Sequence, residues 1–135
     1  MPSRIVDTVV LVAYRNRSDP YYRKANEYMV EITLKDDTLI PSATLMELDL
    51  ELKAHGYSDR SREEIHASLA GIIPRDRILP LTPQSLRRAA ELATTATWRG
   101  SYFDSLIAAS GLEFGANQVI TTDRKFSKLG IEPVF

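Results

Sequence analysis

Four acidic residues in largely apolar segments are the residues of this chain best suited to chemistry. They are Asp7 in IVDTVVLVAY, Glu47 in PSATLMEL, Asp104 in YFDSLIAAS and Asp123 in VITTDRKF. If the fold brings these carboxylates together, their mutual repulsion would be severe unless a cation lay between them. Oxygen-only ligands suit a hard divalent ion such as Mg²⁺ or Mn²⁺. The pattern therefore predicts a metal site, and metal-assisted hydrolysis of phosphodiester bonds is the leading hypothesis.

Short apolar segments alternate with helical patterns along the chain, and these elements would position the acids. Strands are predicted at 5–6, 38–40, 78–81, 118–121 and 131–135, and helices at 20–34, 42–54, 61–71, from 83 onwards, and at 102–114. The segment 9–14 is apolar throughout and fits a strand or a helix equally well. The alternation indicates βαβ units in one domain, 1–135, with the α/β fold of a three-layer α/β/α sandwich and a short, mainly parallel central sheet. Because functional groups gather at the carboxyl ends of parallel strands, this topology favours convergence of the acids.

Capping signals and apolar faces predict how individual helices begin and pack. The helix starts are assigned to Asp19 followed by Pro20, to Ser42, to Ser61 of SREE, and to Thr82 followed by Pro83. The first of these helices is predicted to bury Ala25, Tyr28, Met29 and Ile32, and the helix after Pro83 to bury Leu86, Ala89, Ala90 and Ala93. Pro80 requires that the third strand lie at a sheet edge or that the proline lie at the end of the strand.

The composition excludes several classes of function. The chain has no cysteine, which rules out disulfides, Cys-based zinc sites and thiol nucleophiles. His55 and His66 are too few for a histidine-rich metal site, and neither is assigned a catalytic role. The sequence contains no run of about 18 apolar residues, so no membrane span is predicted. The N-terminus does not resemble a signal peptide, and the expected location is the cytoplasm. The net charge of −1 gives no general attraction for nucleic acid, although basic residues flank the acidic motifs.

Taken together, the four motifs resemble those of the PIN-domain family of metal-dependent ribonucleases. The similarity runs from the start DTxVLxAY through PSxxxxEL to FDSLIAA and TTDRxF. It spans nearly the whole length, and all four acids occur in the order that the family has. In length and predicted architecture the chain looks like the toxin component of VapBC-type toxin–antitoxin pairs.

The resemblance implies a role for each acid. Asp7, Glu47 and Asp104 would hold one Mg²⁺ or Mn²⁺, directly or through water. Asp123 would complete a second metal position or act outside the ligand shell. The ion would lower the pKa of a water molecule and stabilise charge on the leaving oxygen, so no protein nucleophile is required.

One position departs from the pattern of the family. A small polar residue usually stands two positions after the first Asp and supports the metal site, and here that position is Val9. Thr8 and Thr121 are candidates to supply a hydroxyl behind the metal ligands.

Basic and aromatic residues near the acids are candidates for contacts with RNA. Arg124 and Lys125 follow Asp123 directly and would meet the phosphate backbone. Trp98 and Tyr102 precede Asp104 and would stack on an unpaired base, although such aromatic residues are more often core or dimer contacts.

The resemblance also implies a homodimer and an antitoxin protein that inserts a basic side chain among the acids. The mixed faces of helices 20–34 and 61–70 are candidate contact surfaces. Two alternatives stay open: a non-catalytic PIN-like module that binds RNA or protein, and a PIN nuclease of RNA processing rather than a toxin. Phosphotransfer folds fit less well, because a haloacid-dehalogenase-type enzyme needs Asp where Val9 stands, and a receiver domain needs a lysine at the strand end that here reads TTD.

Overall fold

Five parallel strands form the centre of the molecule, in the order β3-β2-β1-β4-β5. The structure is a computed structural model that describes residues 3–94 and 100–135. The strands are β1 (Ser3–Val6), β2 (Thr38–Pro41), β3 (Ile78–Leu79), β4 (Ala116–Ile120) and β5 (Glu132–Val134). The short β3, which ends before Pro80, lies at the sheet edge as the proline predicts.

Helices cover both faces of this sheet. They are α1 (Thr8–Arg15), α2 (Tyr22–Leu34), α3 (Ser42–Ala54), α4 (Asp59–Ile72), α5 (Pro83–Ala93) and α6 (Tyr102–Glu113), with short 3₁₀ segments at Arg75–Arg77 and Arg124–Leu129. Successive side chains of a strand point to opposite faces. Ile5 accordingly packs in the core beside α5 and α6, and Val6 in the core beside α1 to α4, both without solvent exposure. The predicted three-layer α/β/α arrangement is therefore confirmed.

The ambiguous segment 9–14 is helical and belongs to α1. Asp7 is the N-cap of this helix, because its side chain accepts a hydrogen bond from the Thr8 N–H at 2.8 Å. An apolar run without a period cannot distinguish a strand from a buried helix. Here the chain leaves the sheet at Asp7, and α1 packs with α2 in the core on one face of the sheet.

Three predicted helix N-caps were wrong by one to three residues, although the predicted bounds 42–54 of α3 are confirmed. Asp19 forms a turn, accepting from the Tyr21 N–H at 2.8 Å, and α2 begins only at Tyr22. Ser42 is the first residue of α3 rather than its cap, and its hydroxyl donates to the Leu79 carbonyl at 2.7 Å. In α4 the cap is Ser58, which accepts from the Ser61 N–H at 3.1 Å. In each case a nearby backbone or side-chain group competes for the predicted capping atom.

The start of α5 is as predicted, with Thr82 as N-cap and Pro83 in the first turn. The predicted buried face of this helix is wrong, since Leu86 is 44% exposed and Ala90 and Ala93 are also exposed. The buried residues are Ala89, which was predicted, and Ser85, whose hydroxyl donates to the Glu113 carboxylate of α6. The face of α5 that carries Ser85 therefore lies towards α6.

The packing of α2 follows the prediction. Ala25, Tyr28, Met29 and Ile32 are buried. In α6, a Cβ added to Gly111 would lie 2.6 Å from Ile5 Cδ1, so this glycine is what allows the helix to approach β1. No helix within 3–94 and 100–135 is long and apolar enough to cross a membrane.

Candidate metal centre

Three of the four predicted acids meet at the carboxyl edge of the sheet. Asp7 follows β1, Glu47 lies in the second turn of α3 after β2, and Asp104 lies in the first turn of α6. One carboxylate oxygen from each of the three residues lies within 4.8 Å of the other two. We call Asp7, Glu47 and Asp104 the carboxylate cluster. An all-oxygen donor set at this spacing fits a hard divalent ion.

Hydrogen bonds hold Asp7 at its backbone N–H and at both of its carboxylate oxygens. Its N–H donates to the Ile120 carbonyl of β4 at 3.1 Å. Oδ1 accepts from the Thr8 N–H at 2.8 Å, and Oδ2 accepts from the Thr121 hydroxyl at 2.7 Å. The Thr121 oxygen in turn accepts from the Asp123 N–H at 3.0 Å. Asp7 is therefore held in one orientation by residues that follow β1 and β4.

Thr8 contacts a second member of the carboxylate cluster. Its hydroxyl donates to Glu47 Oε1, across the space between α1 and α3. The next residue, Val9, is half-buried and packs against the apolar core on that face of the sheet. The hydroxyl contact to Glu47 thus comes from Thr8, while Val9 contributes to packing.

Asp104 is part of a capping box at the start of α6. The Ser101 hydroxyl accepts from the Asp104 N–H at 3.2 Å, and Asp104 Oδ2 accepts from the Ser101 N–H at 3.3 Å. This reciprocal arrangement satisfies two N–H groups of the first turn and orients the Asp104 side chain.

The pKa values of the three carboxyl groups in the cluster are raised, which favours their neutral forms. Burial raises the pKa of Asp7 from 3.8 to about 7; its hydrogen bonds from Thr121 and Thr8 act against this, and the charges of Asp104 and Glu47 add to it. Burial also raises the pKa values of Glu47 and Asp104. Carboxylates in such surroundings must retain protons or gain a cation. The electrostatics of the cluster therefore favour binding of a positive ion.

Asp123, Arg124 and Lys125 lie at the margin of this cluster. Asp123 is outside the 4.8 Å group, but its charge raises the pKa of Asp104, whereas the charge of Lys125 lowers it. Asp123 Oδ1 accepts from the Lys125 N–H at 2.9 Å. The side chains of Arg124 and Lys125 are exposed.

The two aromatic residues proposed for base contacts have different outcomes. Tyr102 is 66% exposed at the first position of α6, with its ring edge-to-face against Phe103 at 5.7 Å. It is therefore not a core residue. Trp98 lies outside the described residues.

Two residues that make hydrogen bonds to the cluster or next to it were missed in the sequence. Ser101 stands three residues before Asp104, and this capping-box spacing was a signal that could have identified it. Thr44 is fully buried, and its hydroxyl donates to the Val6 carbonyl at 2.7 Å. A threonine inside a predicted helix gives no comparable signal.

The chain has a parallel α/β sandwich fold with acids that converge at the carboxyl edge of the sheet. Comparison with known proteins identifies a family with this fold. The PIN domain model matches residues 4–132, and the chain belongs to the PIN domain family. It is 24% identical over 132 residues to a VapC ribonuclease of Aquifex aeolicus, covering 97% of this chain and 95% of that protein.

Solved structures share the fold over nearly the whole chain. The VapC20 toxin of Mycobacterium tuberculosis, described as cleaving the sarcin–ricin loop, superposes with a TM-score of 0.75 at 21% identity and 96% coverage of both chains. A chain of the DNA-bound VapBC complex of Salmonella typhimurium superposes with a TM-score of 0.67 at 25% identity, covering 99% of this chain and 98% of that one.

Proposed function

We propose that this protein is a metal-dependent endoribonuclease that hydrolyses phosphodiester bonds of RNA and acts as the toxin of a toxin–antitoxin pair. The observation that carries the proposal is the carboxylate cluster, with its three oxygens within 4.8 Å in a member of the PIN domain family. The similarity to the Aquifex VapC ribonuclease supports RNA as the substrate, and the fold shared with the VapC20 toxin supports the toxin role. Action on RNA is in keeping with a cytoplasmic location.

Asp7, Glu47 and Asp104 are proposed to hold one Mg²⁺ or Mn²⁺. Asp7 has a pKa of about 7 in the absence of metal, so at neutral pH it would release a proton when an ion binds. A bound ion would supply an activated water molecule and would neutralise charge at the scissile phosphate. Asp123 is close enough for its charge to raise the pKa of Asp104. It is proposed to bind a second ion or to act outside the ligand shell of the first.

Thr8 and Thr121 are proposed to orient the metal ligands. Each donates its hydroxyl to a different member of the cluster, Thr8 to Glu47 and Thr121 to Asp7. A hydrogen bond of this kind fixes a ligand's rotamer and favours its ionised form. Removal of either hydroxyl should therefore weaken metal binding without removing a ligand.

The exposed residues around the cluster are proposed to bind RNA. Arg124 and Lys125 would contact phosphates, and Lys125 is near enough for its charge to affect Asp104. Tyr102, two residues before Asp104 and largely exposed, would stack on an unpaired base. These contacts would place the backbone of a single strand over the carboxylate cluster.

A homodimer and a cognate antitoxin are proposed as partners. The VapBC complex of Salmonella typhimurium supports an antitoxin for a chain of this fold. On α2, Val30 is 48% exposed and Leu34 is 76% exposed, which suits a protein contact. A basic antitoxin side chain would bind among the acids because it replaces the charge of the metal.

Cleavage of a structured RNA by the purified protein tests this proposal. The reaction is followed with Mg²⁺, Mn²⁺ or EDTA, for the wild type, Asp104→Asn and Glu47→Gln. The matched control is Glu51→Gln, which changes an exposed carboxylate one turn beyond Glu47 on the same helix.

We expect metal-dependent cleavage that EDTA, Asp104→Asn and Glu47→Gln abolish and that Glu51→Gln preserves. Cleavage that persists in Asp104→Asn would contradict the proposed site. Binding of RNA without cleavage by folded protein, in either metal, would favour the non-catalytic module.

A further inference from the structure

The peptide unit between Val6 and Asp7 is held from both sides. Its N–H, from Asp7, donates to the Ile120 carbonyl of β4 at 3.1 Å. Its C=O, from Val6, points the opposite way and accepts the Thr44 hydroxyl of α3 at 2.7 Å. The backbone that immediately precedes the Asp7 side chain is therefore tied to β4 on one side and to α3 on the other.

Thr44 supplies a donor that β2 cannot supply. The parallel register pairs Arg4 with Thr38, and the Arg4 N–H donates to the Asp37 carbonyl at 2.7 Å. Two residues further along the same register, the Val6 carbonyl would accept from the N–H of residue 41. That residue is Pro41, which has no N–H.

The bond from Thr44 is shielded from solvent. Neither Val6 nor Thr44 has any exposed surface. A buried carbonyl without a partner is costly, so this hydroxyl is the donor that satisfies Val6. The first turn of α3 is thereby fixed to the end of β1.

The position of Thr44 links two members of the carboxylate cluster. Glu47 lies three residues after Thr44, so both side chains share one face of α3. Val6 lies one residue before Asp7. We infer that Thr44 is a positioning residue that sets the separation of the Asp7 and Glu47 carboxylates for the ion, an inference that rests on the proposed metal site.

The test measures Mn²⁺ binding to the metal-free protein by electron paramagnetic resonance of the free ion, together with thermal melts by circular dichroism. Thr44→Val removes the hydroxyl and keeps the side-chain shape. Thr44→Ser keeps the hydroxyl and removes a buried methyl group. Ser42→Ala is the matched control, because it deletes a 2.7 Å hydroxyl-to-carbonyl bond from the same helix to Leu79 of β3, away from the cluster.

We expect Thr44→Val to weaken Mn²⁺ binding by about tenfold, the lower end of the effect of losing contacts behind metal ligands. Thr44→Ser and Ser42→Ala should melt below the wild type and yet bind Mn²⁺ within about twofold of it. This separation distinguishes positioning from a general loss of stability, since lower stability alone would affect all three variants in parallel.

Three results would overturn the inference, and they are distinguishable. If the wild type binds Mn²⁺ and folded Thr44→Val binds it equally well, Thr44 does not position the cluster, and the metal site stands. If the wild type itself binds no Mn²⁺, the metal site fails and the role of Thr44 fails with it. A Thr44→Ser variant as weak as Thr44→Val would also contradict a role for the hydroxyl.

Discussion

Replacing Asp7 by Asn should stabilise the metal-free protein, although it removes a proposed metal ligand. Burial raises the pKa of Asp7 from 3.8 to about 7, so ionising this residue is more costly in the folded protein than in the unfolded chain. Asparagine carries no charge and caps a helix about as well as aspartate. The substitution thus removes the unfavourable charge and keeps the cap of α1.

The magnitude follows from the difference between the two pKa values. A rise from 3.8 to about 7 is about three pH units, each worth about 1.4 kcal/mol, which gives an upper limit of about 4 kcal/mol above pH 7. The Asn amide must also replace the oxygen that accepts from Thr121, at a cost of about 1–3 kcal/mol. We expect a net gain of about 2 kcal/mol, or roughly 6–10 °C in melting temperature for a chain of this size.

The gain should depend on pH in a defined direction. Between the two pKa values the folded protein keeps a proton on Asp7 that the unfolded chain has lost. The stability of the metal-free wild type therefore falls as the pH rises from about 4 to about 7, through the Asp7 contribution. Near pH 4, where little more than the cost of the amide remains, Asp7→Asn should be less stable than the wild type; it should overtake the wild type as the pH rises and keep a constant advantage above about pH 7.

Chemical unfolding in EDTA at several pH values measures this effect. When the unfolding is repeated with Mn²⁺ in place of EDTA, the ion should stabilise only the wild type. Asp49→Asn is the control with the opposite sign. Hydrogen bonds from Arg62 and His66 lower the pKa of Asp49 to about 2, so neutralising it should destabilise the protein above pH 4. If Asp7→Asn is less stable than the wild type at pH 8 in EDTA, the reasoning about the buried carboxylate is refuted.

Three further substitutions have defined outcomes. Thr121→Val removes a hydrogen bond that lowers the pKa of Asp7, so Mn²⁺ affinity at pH 7 should fall about tenfold and recover partly at pH 8.5; an equal loss at both pH values would exclude this cause. Gly111→Ala puts a Cβ 2.6 Å from Ile5 Cδ1 and should lower the free energy of unfolding in urea by about 1–3 kcal/mol. An unchanged free energy of unfolding would mean that the Ile5 side chain moves aside without cost. Lys125→Ala should weaken RNA binding in EDTA and lower the slope of log affinity against log salt by about one, whereas an unchanged slope would place Lys125 away from the phosphates.

Much of the architecture could be predicted because it follows from local patterns. Apolar strands alternate with amphipathic helices, and this order leaves few arrangements other than a parallel sheet covered on both faces. The order of these elements also predicts that all four acids meet, because the carboxyl ends of parallel strands share one edge. The structure brings Asp7, Glu47 and Asp104 together and leaves Asp123 outside that group, and the role of each in binding metal remains a prediction.

The features that could not be predicted depend on residues far apart in the chain. The buried face of α5 includes Ser85, whose hydroxyl bonds to Glu113, 28 residues further along. The apolar segment that became α1 has no period, so only its packing against the sheet and α2 decides its structure. Local capping rules placed the start of α2 too early, because Asp19 forms a turn instead.

The kinds of atoms available and the elements that carry them follow from the amino-acid sequence: four acids, each close to the end of a strand or the start of a helix, and no cysteine. The chemistry of these groups depends on the tertiary structure. The raised pKa of Asp7 arises from burial and from the charges of Asp104 and Glu47, and the hydrogen bond from the Thr121 hydroxyl, 114 positions away, acts against it. Likewise, the missing N–H of Pro41 matters only because the strand register places it opposite Val6, where Thr44 donates instead. Residue types are local, whereas burial and hydrogen bonding are properties of the folded chain.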